Sequence, residues 1–299
     1  MVFAHRAGVL RHSSAPHPAG HVVTASDIVD PAGAADRGEL IVHYQPTFKL
    51  PGPAFVAFEA LVRWQHPELG VISPVRFIAS AEASGEIVRI GEVVLDTSVR
   101  QMGLWRPSGE ASAAPQYISV NASAIELRHP SYVPRLRRIL ERYRQPPDRI
   151  QIEITESVLV DDADVMIERL HEMRDLGVRL AIDDFGTGYS SLRYLATMPL
   201  DVMKVDRAFV HGMLESQRGF AVMRATVGLA RALGMQVIAE GVETERQEWL
   251  LGALGVDALQ GFRYSRPLDV ERATRTVGGD PTALDPVAPS APDWGATAQ

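Results

Sequence analysis

Residues 150–206 read IQIEITESVLVDDADVMIERLHEMRDLGVRLAIDDFGTGYSSLRYLATMPLDVMKVD. Within this stretch three short apolar runs, at 150–154, 179–182 and 202–205, alternate with segments of helical character. Strands that alternate with helices are joined by right-handed crossovers and form a mostly parallel sheet. The stretch therefore predicts a fold of the α/β class.

The same alternation extends in both directions along the chain. Further strands are predicted at Leu40–Tyr44, Phe55–Trp64, Tyr117–Val120, Gln236–Ala239 and Ala258–Gln260. Helices are predicted near 75–85, 87–105, 131–143, 161–176, 190–197, 217–233 and 244–253, and from about 269. About seven or eight parallel strands favour closure into a barrel of the TIM type.

The first two strands flank a Pro/Gly turn at 51–53, so one strand is expected to run antiparallel to the rest. The rival fold is an open doubly wound sheet, but no Gly-rich phosphate-binding motif follows the first strand. The predicted fold is thus α/β, a TIM-like (β/α)8 barrel with one antiparallel strand.

Composition narrows the class of protein. The 299 residues carry a formal net charge of −7 and include no cysteine. The charge argues against a surface for nucleic-acid polymers, and the lack of cysteine excludes disulfides and thiolate-bound metals. With no apolar stretch long enough for a membrane segment or a signal peptide, a cytoplasmic protein is expected. Residues 1–36 and 278–299 are predicted to be disordered or linker-like tails around a domain at 37–277.

Polar or charged residues stand at or near the ends of the predicted strands. They are Glu59, Asn121, Glu153, Asp183, Asp184, Lys204, Glu240 and Gln260. Each has a simple structural explanation when taken alone, such as a helix cap, a turn or an ion pair between Lys204 and Asp206. Carboxylates are costly to bury unless they are paired, protonated or bound to metal. Because barrel strands converge at their carboxyl ends, the set predicts a site for a hard cation such as Mg²⁺ or Mn²⁺.

The adjacent pair Asp183 and Asp184 is the sharpest local signal. Consecutive strand residues point to opposite faces, so both can meet one site only where the strand ends. One carboxylate could then bridge two metals while its neighbour binds the second. The following segment, 185–191, is rich in glycine and hydroxyl residues, which is typical of a loop that approaches a ligand closely.

Eight ordered sequence motifs between Glu39 and about Asp269 resemble one family. They are Tyr44-Gln-Pro, Phe58-Glu-Ala-Leu-Val-Arg-Trp64, Ser119-Val-Asn121, Glu153-Ile-Thr-Glu-Ser157, Asp183-Asp-Phe-Gly-Thr-Gly-Tyr-Ser-Ser-Leu192, Lys204-Val-Asp206, Ala239-Glu-Gly-Val-Glu243 and Gln260-Gly. In this order they closely resemble the EAL-domain family of cyclic-di-GMP phosphodiesterases. A single motif is weak evidence, whereas the ordered set is highly specific.

The resemblance implies hydrolysis of cyclic di-GMP to linear pGpG with two divalent cations, Mg²⁺ or Mn²⁺, and inhibition by Ca²⁺. It implies that one cation is held by Glu59, Asn121, Glu153 and Asp183. Asp183 would bridge to a second cation on Asp184, with Glu240 nearby. Lys204 or Glu240 would activate the attacking water, and the residues alone do not choose between them.

Further roles are implied by the same resemblance. Arg63, Gln260, Glu243, Asp206 and Leu61 would bind or support the substrate. Glu156 and Thr187 would anchor the loop after Asp184, and this loop with its following helix would form a homodimer contact. A regulatory protein partner is a further expectation.

Two alternatives remain open at this point. Many members of the family have lost catalysis and serve as cyclic-di-GMP receptors or interaction modules, but every expected ligand is present here. Departures from the family pattern are peripheral: Ala57, Thr47, Ala79 and Arg263, the last close enough to Gln260 to perturb ligand contacts. The other alternative is an aldolase-type barrel with Lys204 as a Schiff-base lysine, a chemistry that requires a lowered pKa.

Overall fold

The computed structural model describes residues 29–52, 54–105, 114–156, 163–186 and 192–287. Much of the two predicted tails, residues 1–28 and 288–299, therefore lies outside the described residues. Within the described part, Ala34 and Ala283 are both fully buried. Among these residues no helix combines the length and the apolar composition needed to cross a lipid bilayer.

Eight strands close into a barrel, and a ninth extends it at one edge. The strands are β1 (Leu40–Lys49), β2 (Ala54–His66), β3 (Gly70–Ile72), β4 (Tyr117–Asn121), β5 (Ile150–Thr155), β6 (Arg179–Phe185), β7 (Val202–Val205), β8 (Gln236–Ala239) and β9 (Ala258–Gln260). The order around the barrel is β1-β9-β8-β7-β6-β5-β4-β2, and β2 pairs back with β1 to close it. β1 is antiparallel to both of its neighbours, and the other pairs within the barrel are parallel. The predicted barrel with one antiparallel strand is confirmed.

Helices connect the strands around the outside. They are α1 (Ile78–Ser84), α2 (Ile87–Leu104), α3 (Ala124–Arg128), α4 (Tyr132–Tyr143), α5 (Ala163–Leu176), α6 (Leu192–Leu195), α7 (Arg207–Glu215), α8 (Gln217–Ala232), α9 (Glu245–Leu254) and α10 (Val270–Val277). The sequence prediction did not include α3, α7 and β3, which are too short to carry a sustained hydrophobic period. Capping signals were nevertheless present: Ser123 and Glu126 form a capping box at α3, and Asp206 caps α7.

The barrel interior is layered, which places the polar residues together. Ala181, Val202, Ile238 and Ala258 form a small apolar cluster contributed by β6, β7, β8 and β9. Because side chains alternate along a strand, the next inward position on β6, β7, β8 and β9 is two residues further on. Those positions are Asp183, Lys204, Glu240 and Gln260. The layer above the apolar cluster is therefore polar, and it lies at the carboxyl ends of the parallel strands.

Two glycines in α8 give a matched test of helix packing. A Cβ on Gly219 would lie 2.0 Å from the carbonyl oxygen of Gly212, whereas nothing lies within 4 Å of a Cβ on Gly228. We expect Gly219→Ala to lower the free energy of unfolding by about 1–3 kcal/mol because α7 and α8 must separate. Gly228→Ala should raise it by about 0.5–1 kcal/mol because alanine favours a helix. Urea unfolding of both variants is the measurement, and shifts of the same sign would contradict this packing.

Candidate active site

Five carboxylates meet inside the barrel at the carboxyl ends of its strands. β2 contributes Glu59, β5 contributes Glu153, β6 contributes Asp183 and Asp184, and Glu240 directly follows β8. Four of the five residues are buried, with relative exposures of 8% or less: Glu59, Glu153, Asp183 and Glu240. The structure thus brings together the carboxylates that the sequence placed at separate strand ends.

Lys204 on β7 lies in the middle of this group. Its Nζ is 2.6 Å from Glu153 Oε2 and 2.6 Å from Glu240 Oε1. The same atom is 3.3 Å from Glu59 Oε2 and 3.4 Å from Asp183 Oδ1. Lys204 is only 1% exposed, so one buried ammonium contacts four buried carboxylates. An ion pair between Lys204 and Asp206, the simple explanation that the sequence also allowed, is not among the ion pairs of the described residues.

The group carries more negative than positive charge. Five carboxylates face one ammonium, which leaves an excess of four negative charges when every group is ionised. Burying unpaired charge is costly, and groups in such positions take up protons to avoid it. Burial, acting with the neighbouring carboxylates and against Lys204, raises the pKa of Glu153 to about 8. Burial together with Asp183 and Asp206 raises the pKa of Asp184 to about 7.

The remaining titratable groups of the site shift according to their contacts. Burial and Asp183 raise the pKa of Glu240 well above its ordinary value. Burial also acts on Glu59, but the charge of Lys204 and hydrogen bonds from Asn121 and Gln260 hold its pKa below the ordinary value. Burial opposes the charge on Lys204, yet the surrounding carboxylates raise its pKa well above that of a free lysine. A Schiff-base lysine needs the opposite shift, so the aldolase alternative is disfavoured.

The donor set fits divalent metal ions. Carboxylate oxygens of Glu59, Glu153 and Asp183 lie within 4.8 Å of one another, as do those of Asp183, Asp184 and Glu240. Asp183 belongs to both groups, as expected for a carboxylate shared between two cations. Within the described residues these two groups contain only oxygen ligands, which suits hard cations.

A backbone irregularity lets Asp183 and Asp184 reach the same site. The pairing of β6 with β7 shifts register between Ile182 and Phe185. Asp184 has φ of 53°, in the left-handed region that non-glycine residues rarely adopt. The Asp184 amide donates to Asp183 Oδ1 over 3.0 Å. The strand therefore turns at this point, which is the condition that the sequence argument required.

Two amide side chains complete the ring of polar groups. Asn121 Nδ2 donates to Glu59 Oε1 over 2.8 Å, and Gln260 Nε2 donates to Glu59 Oε2 over 2.7 Å. Thr47 Oγ1 in turn donates to Gln260 Oε1 over 3.3 Å. Both carboxylate oxygens of Glu59 are therefore held by hydrogen bonds from side-chain amides.

A cavity of about 480 Å³ opens directly onto the carboxylates. Glu59, Asn121, Asp183 and Asp184 line its polar end, and the remainder lies against α1, α2, α3 and the end of β2. Leu61, two residues after Glu59 on β2, also lines it. This volume and its mixed lining are typical of a small-molecule site.

Arg63 lies on the same face of β2 as Glu59 and Leu61, because the three residues occupy alternate positions along the strand. It is 7% exposed, and its Nη1 donates to the carbonyl oxygen of Val62 over 2.8 Å. Burial lowers the pKa of its guanidinium, partly offset by Glu59. A buried cation next to the acidic site is suited to an anionic ligand group.

The EAL domain family matches residues 31–267 of this chain, a range that includes every strand and every carboxylate described above. The chain belongs to the EAL domain family. Its EAL domain is 41% identical over 244 residues to the bifunctional diguanylate cyclase/cyclic di-GMP phosphodiesterase MucR of Pseudomonas aeruginosa, covering 82% of this chain and 35% of that protein. It is 37% identical over 235 residues to the cyclic di-GMP phosphodiesterase PdeR of Escherichia coli K12, covering 79% of this chain and 35% of PdeR.

A solved structure of the PaMucR phosphodiesterase in complex with c-di-GMP has the same fold. It superposes with a TM-score of 0.76 at 41% sequence identity, covering 81% of this chain and 97% of the solved chain. The chain spans about a third of the length of these two curated relatives, 35% in each case.

Three other residues that the EAL resemblance singled out make their described hydrogen bonds and ion pairs outside the carboxylate group: Asp206, Glu243 and Glu156. Asp206 is 7% exposed and accepts a hydrogen bond from the amide of Ala208, so its side chain caps α7. Glu243 is exposed, with Oε1 3.9 Å from His211 Nε2, and has no described contact with the carboxylates. Glu156 Oε2 accepts a hydrogen bond from the amide of Gly186 over 3.3 Å. Thr187 lies outside the described residues.

Arg263, a departure from the EAL family pattern, pairs with a neighbour on α9. Its Nε donates to Glu248, and its guanidinium lies 6.0 Å from the ring of Tyr264. Gln260 is instead held by Thr47 and Glu59. No described contact joins Arg263 to Gln260.

Sequence reasoning missed Gln151, which lies inside the barrel of the EAL domain. This residue is completely buried, and its Nε2 donates to Glu153 Oε1 over 3.0 Å. A signal was available, because Gln151 interrupts the apolar run before Glu153 at the same inward parity. The sequence alone does not distinguish such a residue from a polar strand residue without a role in the site.

The carboxylate cluster predicts an unusual pH dependence of stability for the metal-free protein. The folded-state pKa values of Glu153 and Asp184, about 8 and about 7, lie above those of the unfolded chain. Their protonated forms therefore favour the folded state, and that contribution is lost as pH rises from about 5 to about 8. We expect the thermal midpoint in EDTA to fall over this range and saturating Mg²⁺ or Mn²⁺ to flatten the curve. Differential scanning calorimetry is the measurement.

A matched variant identifies the source of this dependence. Glu153→Gln removes one titrating group and should reduce the slope in EDTA. Glu92→Gln, which alters only an exposed pair with Arg89, should leave the slope unchanged. A thermal midpoint that rises with pH in the metal-free wild type would refute the assignment.

Proposed function

We propose that this chain hydrolyses one phosphodiester bond of cyclic di-GMP to give linear pGpG, using two divalent cations, Mg²⁺ or Mn²⁺. The observation that carries the proposal is the carboxylate group around Lys204 at the mouth of a cavity, in a chain of the EAL domain family. The names of MucR and PdeR and the c-di-GMP in the related complex support the choice of substrate. We assign the activity to the domain at 37–277.

The cations would be held by groups already close together. Glu59, Asn121, Glu153 and Asp183 would bind the first, and Asp183 and Asp184 the second, with Glu240 nearby. Two divalent cations carry four positive charges, which equals the excess negative charge of the carboxylate group. When bound, such a pair lowers the pKa of a shared water and stabilises charge on phosphoryl oxygens. Ca²⁺ is expected to inhibit, because it favours looser and longer coordination.

Lys204 and Glu240 would share the handling of the attacking water. Lys204 Nζ is kept charged by its carboxylate neighbours, so it acts as a hydrogen-bond donor to Glu240. An ammonium has no lone pair with which to accept a proton. Glu240, whose Oε1 lies 2.6 Å from Nζ, is therefore in its ionised form the better proton acceptor of the two.

Substrate recognition would use the wall of this cavity together with residues near the carboxylate group. Arg63 would contact a phosphate, since its forked donors suit oxyanions. Leu61 and the apolar wall beyond it would contact a base, and Gln260 would keep Glu59 oriented. Asp206 and Glu243 would contribute from the rim.

Assembly and location belong to the same proposal. Glu156 would anchor the loop after Asp184 through Gly186, with Thr187 in that loop, and a homodimer would form through this loop and its following helix. A regulatory protein partner would control the activity. The lack of cysteine fits a reducing compartment, and we propose the cytoplasm.

The direct test is incubation with cyclic di-GMP and Mg²⁺ or Mn²⁺, followed by chromatography of pGpG. Glu59→Ala and Asp183→Asn should each reduce turnover by roughly 10²–10³-fold or more, because each removes a carboxylate proposed to bind metal. Glu92→Gln, an exposed control on α2, should keep wild-type turnover. Replacement of Mg²⁺ by Ca²⁺ should abolish product.

Two other outcomes would decide against catalysis. Binding of cyclic di-GMP without formation of pGpG would identify the chain as a receptor, the alternative function. Absence of both binding and turnover would refute both functions.

A further inference from the structure

Gln151 occupies a position directly beneath the carboxylate group. It lies on β5 two residues before Glu153, at the same inward parity, and is completely buried. Its Nε2 donates to two acceptors, Ser119 Oγ at 2.9 Å and Glu153 Oε1 at 3.0 Å. Ser119 is its direct cross-strand partner on β4. A neutral side chain of the barrel interior therefore contacts one carboxylate of the site from below.

The orientation of the Gln151 amide is determined by these contacts. Both neighbours of Nε2 can accept a hydrogen bond, and a carboxylate oxygen is the stronger acceptor of the two. When Glu153 is ionised, as it is when it binds a cation, the reversed amide would place its oxygen against Glu153 Oε1, two acceptors in contact. Gln151 Oε1 has no hydrogen-bond partner within the described residues, so the donor side alone fixes the residue.

The two oxygens of Glu153 consequently have different neighbours. Oε1 accepts from Gln151, and Oε2 accepts from Lys204 over 2.6 Å. Gln151 carries no charge and is completely buried, whereas Lys204 has three further carboxylate neighbours to which it can donate. Oε2 of Glu153 is thus the oxygen that can exchange its hydrogen bond with Lys204 for a bond to a cation.

We propose that Gln151 is a positioning residue for the metal site: it holds Oε1 of Glu153 and thereby presents Oε2 as the single ligand oxygen. This inference rests on the metal binding in the proposed function. A glutamate has several rotatable bonds, and fixing one oxygen in advance reduces the ordering required when a cation binds. Because the amide is neutral, it orients the carboxylate without competing with the cation for its charge.

The test measures Mn²⁺ binding alone, by isothermal titration calorimetry on the full chain without substrate. Gln151→Met keeps a similar volume and removes the donor to Glu153. We expect it to weaken Mn²⁺ binding by about 10–100-fold, the usual effect of removing a partner that orients a metal ligand. Ser119→Ala removes the other contact of the same amide and should change the affinity by less than about threefold, because Glu153 Oε1 keeps its donor.

A double-substitution cycle separates positioning from a general effect on folding. If Gln151 acts through Glu153, Gln151→Met should cause no further loss of Mn²⁺ affinity in a chain that already carries Glu153→Gln. An additional loss of the same size in that background would overturn the inference. Equal losses from Ser119→Ala and Gln151→Met would overturn it as well, since they would point to packing of the barrel interior.

The two proposals fail in different ways. If the unsubstituted chain binds no Mn²⁺, the proposed function fails, and the role of Gln151 fails with it. If the unsubstituted chain and Gln151→Met bind Mn²⁺ equally, only the role of Gln151 is refuted.

Discussion

The contact of one buried ammonium with four buried carboxylates is the constraint on which the rest of the site depends. Lys204 Nζ lies between 2.6 and 3.4 Å from Glu59, Glu153, Asp183 and Glu240. A single positive charge cannot neutralise this group, so the cluster must take up protons or cations. This composition is therefore suited to a binding site, whereas a scaffold in need of stability would gain more from apolar residues at these positions.

The barrel makes this concentration of charge possible because the four carboxylates around Lys204 lie on, or directly after, four different strands. Closure of the barrel by β1 contributes to this arrangement, because Thr47 on β1 pairs in register with Gln260 on β9. The Thr47 side chain donates to Gln260, and the Gln260 side chain donates to Glu59. The turn at Asp184 adds a second carboxylate from one strand. The rigid strands thus hold the carboxylate oxygens close together despite their mutual repulsion. Flexible loops would not maintain such short separations.

The sequence predicted the barrel and the convergence of the strand-end carboxylates because both depend on periodic patterns. Strand ends recur along the chain, and convergence of Glu59, Glu153 and Asp183 follows from parallel strands alone. Contacts between side chains do not follow in the same way. The pairing of Arg263 with Glu248 depends on how α9 packs, and the role of Gln151 depends on an amide orientation within the barrel. Short helices such as α3 and α7 were missed because a capping residue, rather than a hydrophobic period, marks them.

The metal-free fold and the function place opposite demands on the same residues. Every carboxylate that would strengthen cation binding also increases the repulsion within the unliganded cluster, where burial already raises the pKa of Glu153 and Asp184. Natural proteins accept such local conflicts at sites where binding requires them. Neutral donors resolve part of this conflict: Asn121, Gln260 and Gln151 orient Glu59 and Glu153 without adding charge of either sign.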